Sequence, residues 1–329
     1  MKLKSTLLGA VAMAFVGQAA AAEDITVAYF LEWPMPFQYA KVKGMYDEAL
    51  GGTVTWRSFG SGTEMSAAMA SGDVHISVSQ GIPPFVVAAS GGQDLQVLDV
   101  AVSYSENDNC VVAEALEIDK NSAAELAGKK VAVPLGTAAH YGFLSQMNHF
   151  GVDLASLDIV NMNPPEGAAA LAQGSVDMFC GWGGSLRRAM EHGNVLLTGA
   201  EKEELGILVF DATTASASYV AEHSDTVAKF LAVTAKANAM WADAANRDEM
   251  LGVIAQDAGM DVEATAASID TFIFPTVAEQ LSGNWLGGAA QTFMKGVADV
   301  FVGAGSIDAS LDSYDAAVNI GPLEAAGSM

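Results

Sequence analysis

Positive charge is scarce in this chain: 15 Lys and Arg stand against 39 Asp and Glu, a formal net charge of −24 over 329 residues. So acidic a surface excludes nucleic acid and anionic lipid as partners held by charge. The acidic residues are scattered rather than clustered, which suits the solubility of an exported protein. Cysteine is nearly absent too, with only Cys110 and Cys180. Two isolated Cys with no nearby His do not make a zinc site, and in an oxidising compartment an even pair reads first as a disulfide. His75, His140, His149, His192 and His223 are dispersed, and none pairs with an acid at metal or triad spacing. No G-x-S-x-G occurs, and "GSGTE" lacks the Lys that a phosphate-binding loop requires. These absences argue against an enzyme, so no catalytic, metal or cofactor residue is expected.

Long hydrophobic runs are missing as well, apart from Leu7 to Val16. That run is too short to span a bilayer. It follows Lys2 and Lys4 and precedes Ala20-Ala21-Ala22, a small-residue cleavage site before Glu23. The pattern predicts a secretory signal peptide over 1–22, of bacterial style, and a periplasmic mature chain. No Cys follows the apolar run, so a lipid anchor is not supported. The remaining length is comfortable for two lobes.

What the chain does have is alternation. "ITVAY" and "TVTWRSF" read as strands around a helical stretch from Phe37 to Leu50. "GTEMSAAMASGDV" reads as a short helix closed by Gly72. "HISVSQG" and "LQVLDVAVSY" are further strands, separated by "IPPFVVAAS" as a helix. The alternation restarts at "NCVVAEA" and leads back near residue 212 before an Ala-rich helical tail. Short apolar strands alternating with helices predict an α/β fold of mostly parallel sheets covered on both faces. Two such units in series predict a two-lobed clamshell. Residues 23–107 plus 212–329 form lobe 1 and 108–211 form lobe 2, with hinges near 104–110 and 210–217.

Nearly the whole mature chain resembles the periplasmic solute-binding proteins of ABC importers, type II fold, in the taurine and alkanesulfonate group. The segments that carry the resemblance include "TVAYFLEWPMPF", "ASGDV", "LAGKKVAVPLGTAAHYGFL", "NPPEGAAALAQGSVD" and "SLDSYDAAVN". The resemblance implies a monomer that takes a small molecule into the cleft between lobes, closes by hinge motion and delivers it to an inner-membrane ABC permease. Sulfonates and zwitterions such as taurine are the implied ligands. A quaternary or methylated amine or a thiamine-pyrimidine precursor is the alternative, and an enzyme of the same fold the remote one.

Ligands of open α/β sheets sit at the carboxyl ends of strands. Five such ends carry turns: 31–33, 60–62, 79–81, 136–138 and 181–183. None contains Lys or Arg. Gln80 and Gly81 from one lobe, and Gly136, Thr137 and Ala138 from the other, are expected to form an anion nest at two helix starts. His140 and Tyr141 would add side-chain donors. Glu32 or Asp108 would pair a substrate ammonium, with Trp33 and Trp182 as aromatic faces; Asp108 stands where the taurine-binding pattern places an acid. On the strand of the return hinge that pattern often carries another Asp. Here the comparable place reads "TTASASYV", with Ser216 near it and Asp211 several residues earlier. This departure leaves room for a related zwitterion or a methylated ammonium held by aromatics. The strand order implied by the resemblance makes the strands of Cys110 and Cys180 neighbours, and a disulfide between them is expected.

Overall fold

The computed structural model describes residues 24–207 and 209–329; the expected signal peptide lies outside the described residues. In chain order the strands are β1 (Ile25–Tyr29), β2 (Val54–Ser58), β3 (Ile76–Gly81), β4 (Leu95–Val97), β5 (Val102–Ser103), β6 (Asp108–Ala113), β7 (Lys130–Val133), β8 (Asp158–Asn161), β9 (Met178–Trp182), β10 (Gly193–Val195) and β11 (Phe210–Ser216). They sort into two sheets, one per lobe: β2-β1-β3-β11-β4 with β5 beside β11, and β10-β6-β9-β7-β8.

Strand direction explains how the lobes meet. β1 pairs in parallel with β2 and β3, and β7 with β8 and β9. β11 runs antiparallel to β3, β4 and β5, and β6 antiparallel to β9 and β10. In each sheet the reversed strand is the one by which the chain arrives from the other lobe. A segment that crosses at the cleft enters its new sheet from the cleft side and must run away from it. The parallel strands therefore end at the cleft, whereas β6 and β11 begin there.

Helices start where the parallel strands stop. Ser61 caps helix Gly62–Ala70 by accepting from the Glu64 N–H at 3.3 Å, and Thr137 caps helix Ala138–Phe150 by accepting from the His140 N–H at 3.4 Å. Helix Ile82–Ser90 follows β3 with proline in its first turn, and helix Gly183–Met190 follows β9. β3 is buried throughout, as a central strand covered on both faces must be.

Two elements differ from the sequence reading. The helical stretch over 37–50 is two helices, Phe37–Val42 and Met45–Leu50, because Gly44 takes a left-handed conformation (φ 68°) between them. The strand over 95–104 is broken into β4 and β5. Asp99 lies in the break, buried, and accepts the Thr213 N–H at 2.8 Å. Cys110 and Cys180 stand opposite each other on β6 and β9 and are joined by a disulfide, with Cα atoms 4.0 Å apart.

Candidate functional site

Where the strand ends of the two lobes face each other lies a small cavity. Asp108 and Asp211 line it, with the rings of Phe30, Trp33, Tyr104 and Trp182. So do Gly62, Gly81, Thr137 and Ala138, at the starts of three helices.

The two acids are supplied by the reversed strands. Asp108 is the first residue of β6 and Asp211 the second of β11, so each crossing delivers one carboxylate to the cavity. Both side chains are buried, and burial pushes each carboxyl up to about 7. Asp211 is opposed by two donors: the Ser79 hydroxyl donates to Oδ2 and the Tyr104 hydroxyl to Oδ1, each at 2.6 Å. The charge of Asp108 raises it further. Ser79 in turn accepts from Trp33 Nε1 at 2.9 Å. Ser79 has φ 63°, a conformation that costs a non-glycine residue on the order of 1–3 kcal/mol. The register of β11 against β3 shifts at Ala212/Thr214, close by. Asp108 is less satisfied: its Oδ2 is buried without a hydrogen-bond partner. A buried carboxylate oxygen without a donor, beside aromatic faces, suits a cationic ligand group.

The cavity lining also offers backbone donors. The first-turn N–H groups of helix Ala138–Phe150 have no intrahelical carbonyl to bond, and the helix dipole favours an anion there. The Thr137 hydroxyl is already engaged, donating to the Pro134 carbonyl at 2.6 Å. Among the described residues, no Lys or Arg lines the cavity.

Several expected site residues stand elsewhere. Gln80 turns into lobe 1, where Nε2 donates to the Gly62 carbonyl and Ser66 Oγ while Oε1 accepts from Thr214. The Gly136 N–H is taken by His140 Nδ1 at 3.1 Å. His140 stacks on Phe301, and burial lowers it to about 4, which leaves a neutral ring. Tyr141 packs edge-on against Phe293 and lines a separate groove with Leu144 and Val300. Ser216 is at the far end of β11, opposite Leu95, where it caps helix Ala217–Glu222. The reversal of β11 makes Asp211, not Ser216, its cleft residue, and this corrects the expected lack of an acid on the returning strand.

Glu32 meets a protein cation instead of facing the cavity. Arg188 of lobe 2 donates to its Oε1 at 3.1 Å and its Oε2 at 3.0 Å, a two-pronged bridge across the cleft mouth. Glu64 and Asn163 form a second bridge at 3.0 Å. The approach is close: a Cβ on Gly183 would stand 2.6 Å from the Glu32 carbonyl oxygen, and one on Gly184 2.6 Å from its carboxylate. The lobes are therefore shut over the cavity.

Gly62 and Ser79 lie in the strand-end turns that the sequence assigns to the cleft, whereas Phe30, Pro84 and Asp211 belong to the site without having been singled out as ligand residues. Asp211 was within reach, since an acid so close to the start of a crossing strand mirrors Asp108. The strained backbone of Ser79 leaves no local signature.

A family model described as NMT1/THI5 like matches residues 34–249. The taurine-binding periplasmic protein of Escherichia coli (strain K12) is 30% identical over 227 residues, covering 69% of this chain and 68% of that protein. Among solved structures, the alkanesulfonate-binding protein SsuA from Xanthomonas axonopodis pv. citri, bound to MOPS, superposes with a TM-score of 0.74 at 18% identity, over 92% of this chain and 100% of that one. The desulfurization enzyme DSZB shares the fold with a TM-score of 0.62 at 13% identity, over 93% of this chain and 99% of that one.

Proposed function

The chain belongs to the NMT1/THI5-like family, and from that premise we propose that it is the periplasmic binding component of an ABC importer that captures a small zwitterionic sulfonate such as taurine. The observation that carries this reading is the make-up of the cavity lining: buried Asp108 and Asp211, aromatic rings and helix N-termini, with no basic side chain among the described residues that line it. In this reading the ammonium lies against Asp108 within the rings of Trp33, Tyr104 and Trp182. The sulfonate accepts from the amides around Thr137 and Ala138. A zwitterion of this kind finds a carboxylate for its cation and backbone donors for its anion, with no basic side chain required.

Capture proceeds by hinge closure. The two lobes, 23–107 with 212–329 and 108–211, rotate about the crossings near 104–110 and 210–217. The ligand lands on one lobe and the other shuts over it, bringing Glu32 to Arg188. The closed form is what the membrane permease reads. Export follows from the leader over 1–22, and the protein works as a monomer. Binding without turnover is supported by the name of the Escherichia coli relative; the likeness to DSZB speaks of fold alone.

Calorimetry with purified protein tests the proposal, using taurine, ethanesulfonate and choline in parallel. Taurine is expected to bind most tightly, with ethanesulfonate weaker for want of an ammonium. Binding of choline alone would replace the sulfonate reading, and loss of ligand over time would show an enzyme.

A further inference from the structure

Lys202 is 2% exposed, although lysine is among the residues least often buried. It lies in helix Gly199–Glu204, just before the chain crosses back to lobe 1. Its Nζ donates to the Ser105 carbonyl at 2.9 Å and to the Asp108 carbonyl, both on the other crossing. The backbone repeats the link: the Tyr104 N–H donates to the Val209 carbonyl at 3.2 Å. Helix and crossing are in close contact, since a Cβ on Gly199 would stand 2.6 Å from the Glu106 carboxyl. No carboxylate makes an ion pair with Lys202 among the described residues. Its charge instead faces the peptide of the residue that carries the unpartnered carboxylate oxygen.

We propose that Lys202 is a positioning residue of the cation subsite: it fastens the two interlobe crossings to each other and holds a positive charge behind Asp108, favouring the ionised carboxylate that an ammonium requires. The charged groups around Asp108 support this assignment. Tyr104 and Asp211, from the crossing and from β11, are both raised by its negative charge; Tyr104 stays a neutral phenol, and the charge of Asp211 repels that of Asp108. Glu106 and Glu203 act on Lys202 itself, stabilising its ammonium. On helix Ala138–Phe150 it is Gly142 that approaches Asp108, while His140 and Tyr141 pack against Phe301 and Phe293. Lys202 is thus the cation that acts on Asp108. Burial disfavours that ammonium, and the carboxylate and carbonyls around it oppose the loss. Hinge and subsite share one side chain.

The ligand side of this inference rests on the zwitterion reading, whereas the charge relation does not, so the test uses ligand-free protein. Aspartate is labelled with 13C at the carboxyl carbon, and the Asp108 signal is assigned by its loss in D108N. In K202M and K202Q the midpoint of the Asp108 titration is expected to rise by about one pH unit or more, while K202R keeps it near wild type. K202Q retains a donor for one carbonyl and so separates charge from architecture if K202M does not fold. An unchanged midpoint in a folded K202Q or K202M would overturn the proposal, even if taurine binds. A shifted midpoint with no taurine binding by wild type would uphold the charge relation and reject the ligand assignment.

Discussion

An ammonium seated against Asp108 and Asp211 needs at least one ionised carboxylate, and the structure makes ionisation costly in the empty cavity. Burial pushes each carboxyl up to about 7 from an ordinary 3.8, and the two charges oppose each other, so the pair titrates as a unit. If binding releases one proton from a pair with an apparent pKa of about 7, affinity falls by the factor 1 + 10^(pKa − pH). That factor is close to 1 at pH 8 and about 100 at pH 5, or about 2.7 kcal/mol. Taurine affinity should therefore climb tenfold per pH unit below about 6.5 and level off above 7.5. Ethanesulfonate has no cation to offer. Its uncharged tail beside ionising carboxylates should bind no better at pH 8 than at pH 5. Calorimetry at several pH values, in two buffers of different ionisation enthalpy, reads both the affinity and the proton count. Near pH 5.5 about one proton should leave for each taurine bound. A taurine affinity flat from pH 5 to 8, with no dependence on buffer, would refute the reasoning. Stability without ligand follows the opposite sign. A carboxyl raised in the folded state contributes stability that is present below pH 4 and lost as pH rises through about 7.

Replacing Asp108 by Ala should weaken taurine by about 2–5 kcal/mol, at least about thirtyfold, and change ethanesulfonate far less; equal losses in titration calorimetry would make Asp108 structural. Phe30 and Trp182, with ring centroids 6.0 Å apart, separate the inner cavity from a larger mouth that both also line. W182A should therefore raise affinity for ring-bearing sulfonates relative to taurine by about tenfold or more, measured by competition. Arg188 to Ala should weaken any ligand only two- to fivefold, because its bridge to Glu32 is partly exposed and worth about 0.2–1 kcal/mol; a larger loss in equilibrium binding would mean that the bridge governs closure. Removing both Cys110 and Cys180 should lower unfolding stability by about 2–4 kcal/mol in denaturant titrations, given the 70 residues between them.

The fold was legible because alternation and capping are local. Thr137 follows Gly136 at the end of a β-rich run, and it caps the helix that such a sequence implies. The position of Trp33 between strand and prolines also reads locally, and it lines the cavity, although it is 2% exposed. Direction and facing are not local. Nothing within "FDATTAS" says that this strand runs against its neighbours, so its sequence alone does not tell whether Ser216 or Asp211 faces the cleft. His140 and Tyr141 lie close to the cavity in sequence, yet each helical step turns a side chain by about 100°, and both pack on helix Ala289–Gly303 instead. Glu32 looked available because its partner, Arg188, comes from the other lobe. Pairings that exist only when two lobes meet have no signature in either segment alone.

The Phe30–Trp182 pair joins a ring from each lobe across the mouth of the cavity. An indole that gains a neighbour on closure should change its emission when the jaws shut. Trp182 thus offers an intrinsic optical gauge. The capture step can be timed in a stopped-flow cell without a dye or tag, and W182F would remove this indole's share of the signal, apart from that of Trp33 in the same cavity, while leaving an aromatic face in place.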